Sequence, residues 1–265
     1  MNRFEESKHI FLDENKAYIE IAKFASKKNH IEDQVFLNKT PLTTITGYPG
    51  VGKTFLVKRV LSDLDSHDGV IYLEMPVIGI EEFVKRLAKE ITGKTPQRFN
   101  LDKVIESLVG ELEGSSVTVF VDEAQNYPED QLDFIRMLSD KGVFKFVLIM
   151  HKFEKDSVVN KDHFRSRIWN IIELEPLNQS ETIEYVEKIM LKSNLFDVVH
   201  RFSKKDFRFI YRVTKGNLRQ INVVLYKLFD ICDYFYQNNP NSMDDRKGYL
   251  KLLEMAAIDL RLIRA

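Results

Sequence analysis

Gly47-Tyr48-Pro49-Gly50-Val51-Gly52-Lys53-Thr54 lies between a short apolar run, Leu42 to Thr46, and a run of helical spacing that opens Phe55-Leu56-Val57-Lys58. The octapeptide fits G-x-x-x-x-G-K-[ST] in the strand, turn and helix setting that this pattern requires. Chemistry explains the spacing. Glycines let successive backbone N–H groups turn inward, and the following helix offers the positive end of its dipole to the same anion, so the loop suits phosphates. Lys53 then reaches the β- and γ-phosphates, while Thr54 offers its hydroxyl to Mg²⁺, which takes a few protein oxygens together with water and phosphate. The expected nucleotide-binding residues are Gly47, Tyr48, Pro49, Gly50, Val51, Gly52, Lys53, Thr54 and Phe55. A second Gly-Lys-Thr, at 93–95, has Ala88 where the upstream glycine belongs and Pro96 directly after it, so it reads as a helix stop.

Around this loop, from residue 42 to 174, short β-branched or apolar runs alternate with helical ones, the pattern of a parallel sheet covered on both faces. Strands are expected at Leu42 to Thr46, Val70 to Met75, Val117 to Val121, Phe144 to Met150 and Asn170 to Leu174. Helices are expected at about Lys53 to Leu64, Ile80 to Ile91, Leu101 to Glu111 and Glu129 to Ser139. After Pro176 the strand signal stops, and Asn178, Ser203, Asn217 and Ser242 stand as N-caps of four helices. Before residue 42 there is a helical stretch near Tyr18 to Ser26, then a polar connector to Pro41. The expected organisation is an N-terminal helical segment over 1–35, a phosphate-loop core over 36–176 and a helical lid over 177–265.

With 44% apolar and 30% charged residues the chain has a globular composition, which excludes disordered and fibrous classes. The single cysteine, Cys232, cannot close an intramolecular disulfide, which fits a reducing compartment. The first residues lack a signal-peptide core, and the most apolar stretch, Phe144 to Met150, is short and interrupted by Lys145. A cytoplasmic chain without membrane insertion is expected. Net charge is −1, but residues 177–265 carry 15 Lys and Arg against 11 Asp and Glu, or +4, which permits an acidic partner.

A phosphate loop hydrolyses nucleotide only with a second element: an acidic pair at the end of a buried strand near the phosphates. Val117-Thr118-Val119-Phe120-Val121-Asp122-Glu123 supplies it. Asp122 would hold Mg²⁺ through its water shell, and Glu123 would deprotonate the attacking water. Adenine is favoured over guanine because the nearest approach to the N-K-x-D signature, Asn160-Lys161-Asp162-His163, puts His where Asp is needed. Ile10 and Phe11 suit either an adenine pocket or a core.

The chain resembles the AAA+ ATPases, and within them the bacterial group of ExeA-type secretion and TnsC/MuB-type transposition ATPases. Four segments carry the resemblance: Gly47 to Thr54; Asp122-Glu123-Ala124-Gln125; Phe164-Arg165-Ser166-Arg167-Ile168 ahead of Ile172 to Leu177; and Lys215-Gly216-Asn217-Leu218-Arg219-Gln220-Ile221-Asn222. It implies an α/β P-loop NTPase fold, a doubly wound parallel five-stranded sheet with a small all-helical C-terminal lid. It also implies a site shared between subunits, in which Arg167, with Arg165 as reserve, is the finger reaching a neighbour's nucleotide. Arg219 would be the lid arginine that senses the γ-phosphate. His151 stands where the family carries a small polar residue that positions the attacking water.

The implied activity is Mg²⁺-dependent ATP hydrolysis by a ring or filament of this chain, used to assemble or remodel a machine for secretion, type IV pili or DNA uptake. A secretion role would need a separate membrane anchor. Two alternatives stay open: a DNA-binding assembly factor of the transposition or replication-initiation kind, and a nucleotide-dependent switch with slow turnover. The run Lys204 to Arg212 interleaves bases with aromatics, as single-strand grooves do, but Phe207, Ile210 and Tyr211 share one helical face, which favours core packing.

Overall fold

The computed structural model describes residues 3–13, 19–36, 40–63, 69–152, 168–238 and 248–264, and the structural statements below concern these. They divide into two compact units, Ser26–Pro49 with Lys53–Leu174, and Met1–Ala25 with Gly50–Gly52 and Glu175–Ala265.

The first unit is built on strands β1 (Leu42–Gly47), β2 (Val70–Leu73), β3 (Val117–Val121), β4 (Phe144–His151) and β5 (Ile168–Leu174). Their order in the sheet is β2-β3-β4-β1-β5, and every pairing is parallel. Each residue of β1 and β3 is buried, the mark of strands covered on both faces. Fully burying one such aliphatic side chain contributes about 1.5–3 kcal/mol, so the central strands are rigid supports for whatever their ends carry. Because all strands run the same way, Gly47, Val121 and His151 finish at one edge. Gly47 is in register with His151, and Val121 with Leu148.

Helix α1 (Arg3–Lys8) opens the chain and α2 (Ala22–Phe36) precedes the sheet. The helices α3 (Lys53–Asp63), α4 (Ile80–Thr92), α5 (Leu101–Glu111) and α6 (Glu129–Ser139) follow their strands. The α4 helix buries Phe83, Val84, Leu87 and Ala88 and puts Glu81 and Glu82 in its first turn, where the dipole favours carboxylates. It ends at Gly93 in the left-handed conformation, so the second Gly-Lys-Thr is a helix stop as its sequence indicates. Strand β2 is two residues shorter than expected. Glu74 instead pairs with Lys58 of α3, and Pro76 has no N–H to continue the ladder.

The second unit contains α7 (Gln179–Lys192), the single turn α8 (Phe196–Val199), α9 (Lys204–Thr214), α10 (Leu218–Asn238) and α11 (Leu250–Asp259). Asn178 and Ser203 each close a capping box, with Glu181 and Asp206 respectively. The aromatic Phe207 and its neighbour Ile210 go to the core, as their spacing indicates. Phe11 also packs in this unit, edge-on to Phe229 with centroids 4.9 Å apart, which settles it as a core residue. The expected Ser242 cap lies outside the described residues. The α8 turn is not legible in the sequence, because four residues carry no readable period.

The polar connector expected before Pro41 is mostly helix, since α2 runs to Phe36. Its apolar signal is thin, with Phe24 and Ile31 buried, and much of its support is ionic. Lys28 pairs with Glu32 at 3.2 Å and with Asp63 of α3 at 2.8 Å, and these two carboxylates raise its pKa. No described helix is long and apolar enough to cross a membrane.

Candidate functional site

The phosphate loop leaves β1 at Gly47, and Gly50 and Gly52 take φ of +80° and +97°, which side-chain-bearing residues rarely adopt. Lys53, the first residue of α3, is only 7% exposed. A buried ammonium needs acceptors, and its Nζ donates to Gly47 O at 3.1 Å and to Tyr48 O at 3.3 Å. The charge is therefore held inside the loop it serves. Thr54 and Phe55 follow, half-buried, in the first turn of α3. Tyr48 is roofed by Lys152, whose Nζ lies 5.2 Å from the ring centroid and which also pairs with Glu173.

Within the helical unit, the crown of the loop meets the corner that precedes α10. The Arg219 N–H donates to Gly50 O at 3.1 Å, and a Cβ built at Gly50 would lie 2.6 Å from Asn217 Oδ1. Only glycine fits there, for reasons of φ and of space alike. Arg219 itself is exposed. Arg165 and Arg167 lie outside the described residues.

At the end of β3, Asp122 is 2% exposed and both carboxylate oxygens are engaged. Oδ1 accepts the Glu123 N–H at 2.9 Å and Oδ2 accepts the Tyr72 hydroxyl at 3.0 Å. Burial, then the Asp122 charge, pushes the Tyr72 pKa up, so Tyr72 stays a neutral donor. Glu123 is in the left-handed conformation, with φ +52°, and its side chain is 40% exposed.

Gln125 joins these ends together. Its Nε2 donates to Glu123 Oε2, and its Oε1 accepts the His151 N–H at 3.3 Å. His151 Nε2 is 3.6 Å from the same Glu123 oxygen. The amide thus ties the carboxylate at the end of β3 to the end of β4, and β4 is in register with the first loop glycine. Neither Tyr72 nor Gln125 is among the site residues expected from the sequence. Gln125 sits inside the quoted Asp-Glu-Ala-Gln segment, and a polar side chain two residues past the carboxylate was its only signal. Tyr72 had none, since it acts across strands.

A hydroxyl such as that of Thr54 and a buried carboxylate such as that of Asp122 are the kinds of donor that Mg²⁺ takes alongside water and phosphate oxygens. Among the described residues no cluster of three or more His, Cys, Asp or Glu forms the closed cage that a dedicated protein-only metal site requires.

Residues 38–158 match the family model described as AAA domain. The whole architecture, a five-stranded parallel sheet with flanking helices and a helical C-terminal region, is the P-loop AAA+ fold. Among solved structures, the chain is similar to Cdc6p from Pyrobaculum aerophilum at 16% identity and TM-score 0.64, covering 86% of this chain and 66% of that one. The ORC1 protein of Aeropyrum pernix, solved in complex with DNA, matches at 13% identity and TM-score 0.62, covering 96% and 69%. Drosophila ORC bound to DNA matches at 13% identity and TM-score 0.55, covering 88% and 65%. The chain thus spans just under two-thirds of the length of two of these three, and at such identities the likeness is one of fold.

Proposed function

We propose that the protein is a Mg²⁺-dependent ATPase that works as a ring or filament of this chain and assembles or remodels a macromolecular machine in the cytoplasm. What supports the reading is that the strands leading to the phosphate loop and to Asp122-Glu123 end at the same edge of a parallel sheet, with Lys53 held inside the loop, Asp122 buried and Gln125 bonded to Glu123. Loop amides and Lys53 bind and orient the triphosphate. Thr54 and Asp122, the latter through water, hold Mg²⁺, which neutralises charge on the phosphate oxygens. Glu123 takes the proton of the attacking water, and His151 orients that water. Arg219 reports the γ-phosphate, and Arg167 of one subunit serves the nucleotide of the next. The family resemblance favours a secretion, type IV pilus or DNA-uptake apparatus as that machine.

The test is Lys53→Ala. A charge-assisted hydrogen bond contributes about 1.5–3 kcal/mol, and Lys53 makes at least two to phosphate, so ATP affinity should fall by about 100-fold or more in a fluorescent-nucleotide titration. Unchanged affinity would remove the loop from the mechanism. Gln125→Ala should leave ATP affinity intact and lower kcat by about tenfold through loss of carboxylate alignment, with Gln125→Asn recovering part of it. A KM effect without a kcat effect would count against alignment.

A second reading, a DNA-bound assembly factor, is favoured by the fold likeness to Aeropyrum pernix ORC1 and Drosophila ORC, both solved with DNA. It requires retention on duplex DNA at moderate salt, promoted by ATP.

A further inference from the structure

The +4 of residues 177–265 is not spread over the helical unit. Residues 201–219 carry seven Lys and Arg against one acid, Asp206, a net +6, and the remainder of 177–265 is −2. The one acid is withdrawn from solvent, fully buried and accepting the Ser203 N–H at 2.6 Å in the cap of α9. On a helix that advances 100° per residue, Lys204, Lys205, Arg208 and Arg212 fall within a 100° arc. All four are exposed, as is Lys215 at the helix end. Among the described residues none of these five is within ion-pair distance of a carboxylate. Lys204, Arg208 and Arg212 form a line with steps of about 6 Å, and Arg212 is braced over the Phe209 ring at 4.8 Å.

We propose that this face of α9 docks on the phosphate backbone of duplex DNA. The proposal rests on the DNA-bound reading and names its surface. A carboxylate-free row of long cations fits a partner with regularly repeated negative charge. Unpaired strands are disfavoured, because the arc itself carries no open ring on which bases could stack: Phe207 and Phe209 are buried, and Tyr211, at the margin of the arc, is half-buried. A protein partner would need an apolar anchor at the centre of the patch, and the arc offers none. A membrane would need an apolar face to insert, and that of α9 is already buried in its own unit.

The test is a salt series with the full chain and a labelled 30-base-pair duplex, with and without ATP. The expected slope of log K against log salt is about −4, and K204E/R208E/R212E should reduce it by about 3 and weaken binding at least about tenfold on any sequence. That variant should keep the thermal midpoint and ATP turnover of the unaltered protein. Independently of any variant, duplex DNA should protect Lys204, Lys205 and Lys215 from acetylation. Failure of the unaltered protein to hold duplex at low salt, with ATP or without, overturns both the DNA reading and this surface. Duplex binding with an unchanged slope in the triple variant, or with no lysine protection, overturns the surface alone. Equal or stronger binding to single strands, or to anionic phospholipid vesicles, overturns the assignment of duplex DNA.

Discussion

Glu123→Gln is expected to hold ATP with unaltered affinity and to turn it over about 10²–10⁴-fold more slowly, the usual range for loss of a general base. The two side chains have nearly the same shape, so the loop, Lys53 and the buried Asp122 are untouched. The Gln125 amide also keeps an acceptor, because the introduced amide can present its carbonyl oxygen where Glu123 Oε2 stands. What disappears is basicity, which only the proton transfer uses. Phosphate release measured beside equilibrium ATP binding separates the two quantities. Turnover within about threefold of the unaltered protein would take the base role away from Glu123.

The second large effect is expected at Arg167. A guanidinium is permanently charged and can clamp two phosphate oxygens at once, and when supplied by a neighbouring subunit it raises turnover by about 10³–10⁵-fold. Arg167→Ala should therefore bind ATP normally and lose the steep dependence of activity on protein concentration. Mixing Arg167→Ala with Glu123→Gln should restore part of the activity, since some interfaces would then combine an intact arginine from one chain with an intact carboxylate from the other. Arg165→Ala serves as the comparison. An Arg167→Ala protein with full activity at every concentration would exclude Arg167 as the finger.

Much of the fold is readable because the central strands are buried on both faces and their neighbours are amphipathic at helical spacing. Strand Val117–Val121 and helices Leu101–Glu111 and Glu129–Ser139 have the bounds their residues indicate. Legibility fails where support is not hydrophobic. The α2 helix leans on the ion pairs of Lys28, whose partner Asp63 is 35 positions away, and no window over residues 27–36 reveals that contact. The same reason divides the candidate site. A phosphate loop is a local motif, with its glycines, lysine and hydroxyl in one turn, so it can be recognised from eight residues. Tyr72 touches Asp122, and Gln125 touches the backbone of His151, only because parallel pairing sets the ends of β2, β3 and β4 side by side. Such contacts are properties of strand register, and register is not written in any single segment.

Glu123 takes a backbone shape in which glycine would sit at ease, and a side chain there carries a penalty of about 1–3 kcal/mol. A glycine at that spot is expected to give a sturdier protein and, on the proposed role of Glu123 as base, one without turnover. Screens that reward heat resistance alone should therefore drift toward replacing this residue, and any durable variant they return must be checked for work as well as for survival.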